Sequence, residues 1–161
     1  MSLEQILDHD IVPNNLWQFY FTDFPDLQYL TEDVNLPLHS LDVETDAVGV
    51  KHYTGFSPVE SFTVTWRESA KRSVYKYLNE WMEEVFDSRR QVFNVGNHSR
   101  EAILSVHKFD DEGNEIDLVS FSYHHVMIQG ISDISWAYGS GDPIKLTGTF
   151  YCDWIEQELF V

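Results

Sequence analysis

The stretch Ser61 to Asp87, SFTVTWRESAKRSVYKYLNEWMEEVFD, changes its period partway along. In its first six residues polar and apolar side chains alternate, with Phe62, Val64 and Trp66 on one side, the pattern of a strand buried on one face. From Ser69 the spacing lengthens: Val74, Tyr77, Leu78, Trp81, Met82, Val85 and Phe86 recur at three- and four-residue steps and line one face of an α-helix. The opposite face carries Lys71, Arg72, Lys76, Asn79, Glu80, Glu83 and Glu84, with Lys76 and Glu80 four apart and able to pair. Ser69 is the expected N-cap, its hydroxyl accepting from an otherwise orphaned amide of the first turn. A helix over roughly 69–87 would be about 27 Å long, enough to span one side of a small barrel or sandwich. One strand therefore feeds one helix.

Outside this stretch the chain reads as short strands. Asn15 to Thr22 is dense in aromatics and is turned by Asp23-Phe24-Pro25-Asp26; Leu27 to Leu36 is a mixed connection, and Leu38 to Thr45 gives a second strand. Beyond the helix, Asp87 to Arg90 ends it and a loop runs to Asn97. Arg100 to Phe109 alternates, the polar turn Asp110 to Glu115 follows, and Ile116 to Ile128 returns as the second arm of a β-hairpin. A turn-rich connection from Gly130 to Asp142 leads to a last strand, Pro143 to Trp154, with Ile144, Leu146, Gly148, Phe150 and Cys152 on one face. Six or seven strands and one helix, without β-α-β-α alternation, predict a mainly β fold: an antiparallel sandwich or barrel flanked by the helix.

The 161 residues are enough for one domain and too few for two ordinary ones. Residues 1–13 form an N-terminal arm in this reading, with Leu3, Ile6 and Leu7 positioned to dock on a neighbour before Pro13. Residues 46–58 place Val48, Val50, His52, Tyr53 and Phe56 in a glycine-punctuated segment. That is either a projecting hairpin buried only in an assembly or a loop folded over its own core.

Net charge is −17, from 27 acidic and 10 basic residues. It is uneven: residues 1–60 hold 11 acids and one base, residues 61–108 hold 6 acids and 8 bases, and residues 109–161 hold 10 acids and one base. Affinity for phosphate rests on Lys and Arg, so such a chain repels nucleic acid in general. The acidity is either a solubility surface or a surface that must not hold DNA. No apolar run is long enough to cross a bilayer, and the N-terminus lacks the basic start and apolar core of a secretory signal. The lone Cys152 fits a reducing cytoplasm and a buried, inert thiol.

Chemistry is sparse. The Asp110 to Glu115 turn lacks the ligand spacing of a calcium loop. His124 and His125 are expected on opposite faces of a strand, where adjacent positions do not jointly chelate an ion; His107 could share a face with one of them across the hairpin. No phosphate loop, nucleophile elbow or paired-cysteine motif is present, so neither enzyme activity nor a cofactor or metal is expected.

The order of parts resembles the tail tube proteins of contractile-tailed bacteriophages and, more distantly, the tube protein of type VI secretion. The likeness lies in the aromatic strand Trp17 to Phe21, the strand after Leu36-Pro37, the long insertion, and the Phe62-Thr63-Val64-Thr65-Trp66 strand entering a helix with Tyr77 and Trp81. It continues in Val126 to Trp136 followed by Ile144 to Trp154, where a glycine and a small polar turn lead into a strand ending in an aromatic. The family commonly has a proline before that turn, where this chain has Ile131. The resemblance implies a structural virion protein of the phage tail, assembled in the host cytoplasm. It implies homo-hexameric rings stacked into a tube inside a sheath and on a baseplate, with genomic DNA sliding through an acidic lumen without specific binding. A tube-initiating baseplate ring of the same fold and an acidic soluble binding module are the alternatives. Val48, Val50, His52, Tyr53, Phe56, Leu3, Ile6 and Leu7 are the expected subunit-interface residues.

Overall fold

The computed structural model describes residues 16–37, 40–57, 61–132, 134 and 141–160. In chain order it has β1 (Trp17–Phe21), a 3-10 helix (Pro25–Tyr29), β2 (Thr31–Val34), β3 (Ser40–Thr45), β4 (Lys51–Ser57), β5 (Phe62–Arg67) and α1 (Ser73–Val85). There follow β6 (Phe86–Asp87), β7 (Val92–Phe93), β8 (Arg100–Phe109), β9 (Glu115–Ile131), β10 (Lys145–Tyr151) and β11 (Trp154–Leu159). The main sheet is antiparallel with the order β1-β8-β9-β10-β5-β2, and β11 also pairs with β9. The fold is therefore mainly β with one helix, as the periodicity predicts.

The 17-residue β9 is the spine. Its first half pairs with β8 and with β11, and its last residues pair with β10. β10 and β11 thus lie end to end along one edge of β9, with Tyr151 opposite Met127 and Trp154 opposite His124. Register shifts in the β8–β9 and β9–β10 ladders add twist, which curls the sheet into a half-barrel around its own aromatic side chains.

On the concave face Phe19, Phe21, Phe62, Val64, Trp66, Tyr123, Leu146 and Phe150 are fully buried, and α1 closes over them with Val74, Leu78 and Trp81. Trp81 stacks on Phe150 with ring centroids 5.6 Å apart, meets Phe21 edge-on at 5.4 Å, and donates its indole N–H to the carbonyl of His98 at 2.8 Å. Gly148 makes this possible: a Cβ there would stand 2.6 Å from the Phe150 ring and 3.1 Å from that of Trp66. Arg100 ties the helix to the sheet. Its guanidinium lies 4.6 Å from the Trp81 ring centre and 4.7 Å from that of Tyr77, and pairs with Asp23 and Glu84 at 3.0 Å each.

The helix is shorter than the expected 69–87. It begins at Ser73, with Arg72 in the left-handed region (φ 55) at the N-cap, and no side-chain cap comes from that residue. Ser69 sits one turn earlier and accepts from the Ser73 amide at 3.2 Å. Most of the capping falls to Glu68, whose carboxylate accepts from the amides of Val74 (3.2 Å) and Tyr75 (2.8 Å). At the other end Phe86 turns extended and Phe86–Asp87 pairs with β7, while the Asn94 amide donates to the carbonyls of Glu83 and Glu84 at 3.3 and 3.0 Å. Glu68→Ala should lower stability by about 1 kcal/mol, the usual worth of a helix cap, read as a lower urea midpoint with unchanged slope.

Three further expectations change. The mixed connection Leu27 to Leu36 contains the 3-10 helix and the edge strand β2, which pairs with β5; its Thr31, Glu32 and Asp33 hide the strand pattern. The loop from Asp87 to Asn97 contains β7. The last strand breaks after Tyr151, so that Cys152 and Asp153 form a kink before β11. The arm 1–13 lies outside the described residues.

Candidate assembly surface

β3 and β4 form a two-stranded sheet of their own, and the residues expected as the 46–58 segment are its turn and second strand, the hairpin starting earlier at Ser40. Asp46 builds the turn. Its carboxylate accepts from the amides of Val48 (3.0 Å) and Val50 (2.9 Å) and meets His52 Nε2 at 2.9 Å, while Gly49 takes φ 86. The His52 hydrogen bond, with help from these amides, holds the Asp46 carboxyl below its usual value.

Leu41 lies opposite Phe56 and Val43 opposite Tyr53, so one side of the hairpin is apolar, and Asp42 and Glu44 mark the other. All are exposed, Tyr53 at 77% and Val48, at the tip, at 85%. An isolated two-stranded sheet is marginal in water, and an apolar face of this kind calls for a partner surface. Of the expected interface residues, Val48 and Val50 are in or beside the turn and His52, Tyr53 and Phe56 are on β4. Leu3, Ile6 and Leu7 lie outside the described residues. A second exposed apolar group, missed in the sequence, is Val92, Phe93 and Val95 beside the β6–β7 turn.

The convex face of the main sheet is set by cross-strand rows. Gln18, Ser105, Ser120 and Glu158 make one row, and Tyr20, Ile103, Ser122 and Glu156 the next; across β5 and β10, Thr65 faces Thr147 and Thr63 faces Thr149. The Thr65 and Thr147 hydroxyls are hydrogen-bonded at 3.0 Å. At the end of these strands Arg67 and Lys145 both reach Glu32, at 3.4 and 2.8 Å. The Lys145 hydrogen bond, then that of Arg67, holds the Glu32 carboxyl below its usual range. These rows carry mostly hydroxyls, with Glu156 and Glu158 as acids beside Gln18 and Ile103, and the two bases are already engaged by a carboxylate.

Among the described residues β11 pairs with β9 on one side only. At its start the histidines depart from expectation: His125 adopts φ 54, which breaks the alternation, and both rings lie against Trp154, at 4.8 Å for His124 and 5.3 Å for His125. His107 is elsewhere, buried opposite Asp117 with Nε2 3.2 Å from Glu115. Among the described residues no group of three or more His, Cys, Asp and Glu is placed to hold a metal ion, and no helix is long and apolar enough to cross a membrane.

Cys152 is buried, and burial pushes its thiol up to about 11. A thiol raised in the fold stays protonated when the unfolded chain ionises, so its contribution is complete below the ordinary value of 9.0 and fades as the pH climbs towards 11. Labelling by a maleimide at pH 7.5 should accordingly be much slower in the folded protein than in urea, and Cys152→Ala should reduce the loss of stability between pH 9 and 11 without removing it, since burial also raises the Tyr77 and Tyr123 hydroxyls.

No protein-family model matches the chain, and no curated protein matches it. Solved structures do match. A chain of the anti-feeding prophage tube-terminating cap aligns with TM-score 0.70 and 13% identity over 94% of this chain and 93% of that one. A chain of the sheath-tube complex of the PVC extracellular contractile injection system aligns with TM-score 0.63 and 15% identity over 99% of each. Hcp1 from Flavobacterium johnsoniae aligns with TM-score 0.52 and 13% identity over 88% and 94%. The fold is that of the tube proteins of contractile injection systems, the class to which phage tail tubes and the type VI tube belong.

Proposed function

We propose that this chain is a ring-forming subunit of the inner tube of a contractile bacteriophage-type tail, six copies closing their curled sheets around an axis and the rings stacking end to end. The observation that carries the proposal is a tube fold whose β3–β4 hairpin pairs with no other strand among the described residues and is exposed on both faces. In this reading the hairpin, through Val48, Val50, His52, Tyr53 and Phe56, and the arm 1–13, through Leu3, Ile6 and Leu7, contact adjacent subunits. The convex face, with its hydroxyls and acids, lines the channel, and DNA passes without specific binding. Sheath and baseplate proteins are the remaining partners, the role is structural, and the place is the virion tail.

Negative-stain microscopy of the purified protein is the test: rings or tubes about one axis support the proposal, and a stable monomer at high concentration returns the chain to the class of acidic soluble binding modules. In a reconstruction of the tube the charged lumen side chains should be mostly Asp and Glu, and a net basic channel would remove the role assigned to the charge. The higher likeness to a tube-terminating cap favours one second reading, a ring that ends the tube. Single rings or short stacks, in place of long tubes, identify that case.

A further inference from the structure

His124 is held between two carboxylates on two different strands. Its Nδ1 lies 2.8 Å from Glu101 Oε2 on β8, and its Nε2 lies 3.0 Å from Glu156 Oε2 on β11. A neutral imidazole has one N–H and one lone pair, so it satisfies one of these carboxylates and turns a lone pair to the other; the imidazolium donates to both. Its ring also stacks on Trp154 of β11, inclined by 20°. The neighbouring His125 sets Nδ1 3.1 Å from Asp153 in the kink between β10 and β11, and its backbone N–H donates to Glu101 Oε1 at 3.2 Å. Glu101 from β8 and Glu156 from β11 thus flank the His124 ring, and the neighbouring His125 of β9 pairs with Asp153 of the kink.

We infer that His124 is a proton-operated clamp that fastens the edge strand β11 to the rest of the sheet. With the imidazole protonated, Glu101 and Glu156 are drawn to one cation and β11 lies closed on β9. When the proton leaves to solvent, Glu101 and Glu156 keep their charges, the imidazole donates to one of them only, and the strand ladder carries more of the closure. Among the described residues β11 is paired on one side only, so the clamp sets how firmly this strand lies on the sheet. The inference concerns the single chain and stands whether or not the protein forms tubes.

The test is hydrogen exchange of the β11 amides 154–159 at pH 5.5 and pH 8.0, corrected for intrinsic rates and compared with the β10 amides as an internal reference. Protection of β11 relative to β10 should fall about ten-fold from the lower to the higher pH. His124→Asn should show the low protection at both, His125→Asn should keep most of the response, and Glu156→Gln, which leaves the histidine untouched, should reduce it. A β11 to β10 ratio that does not move with pH in the wild-type chain overturns the inference, as does an undiminished pH response in both His124→Asn and Glu156→Gln.

Discussion

Replacing residues 41–56 by a short Gly-Ser connection is expected to abolish stacked tubes while leaving a folded chain. The deletion removes β3 and most of β4, which make a sheet separate from the main one, and it removes none of the buried core residues. The thermal midpoint should therefore move by only a few degrees. Six large exposed apolar residues go with the segment: Leu41, Val43, Val48, Val50, Tyr53 and Phe56. Burying side chains of this size is worth roughly 1.5–3 kcal/mol each in full, so losing even part of that at every repeated contact prevents assembly. Paired melting curves and electron micrographs separate the two effects. Long tubes formed by the deleted chain would falsify the role given to the hairpin, and a chain that no longer folds would show that the hairpin belongs to the core.

Trp81→Ala is expected to have the largest effect on the fold itself, a loss of about 3–5 kcal/mol, the range for removing a large buried aromatic side chain. Three things go together at this position. The indole fills the space between α1 and the sheet against Phe21 and Phe150, its N–H satisfies the His98 carbonyl, and its ring supports the Arg100 guanidinium. Since Arg100 pairs with Asp23 and Glu84, losing the ring also loosens the link between the helix and the turn after β1. Trp81→Phe should recover most of the packing and lose the hydrogen bond, leaving a cost of about 1–2 kcal/mol. Urea unfolding of both variants gives the comparison; equal losses would mean that the cavity is not the main term.

Much of the architecture is local and so was open to reading. Two-residue alternation in Phe62, Val64 and Trp66 and in Leu146, Gly148 and Phe150 shows which side of each strand is buried, and these residues do form the core. The three- and four-residue steps of Val74, Leu78 and Trp81 placed one helix and its buried face. The acidic, glycine-containing cluster at Asp110 to Glu115 marks a turn that exists at Asp110 to Asn114. For the candidate surface, the unusual density of apolar side chains in residues 46–58 was itself the signal, because a side chain's hydrophobicity needs no partner to be recognised.

What the amino-acid sequence determined alone was therefore period, turn position and overall charge, each a property of neighbours along the chain. The tertiary structure decided which strands pair. Leu38 to Thr45 looked like a sheet strand, and only the short Asp46 turn returning it onto Lys51–Ser57 made it half of a separate hairpin. It also decided that Glu68, just ahead of the helix start, caps α1, that Gly148 clears space for Phe150, and that the left-handed His125 turns two histidines onto one tryptophan. The physical reason is common to all of these: a hydrogen bond or a ring contact depends on how the backbone turns and where other groups have packed, and no local period records it.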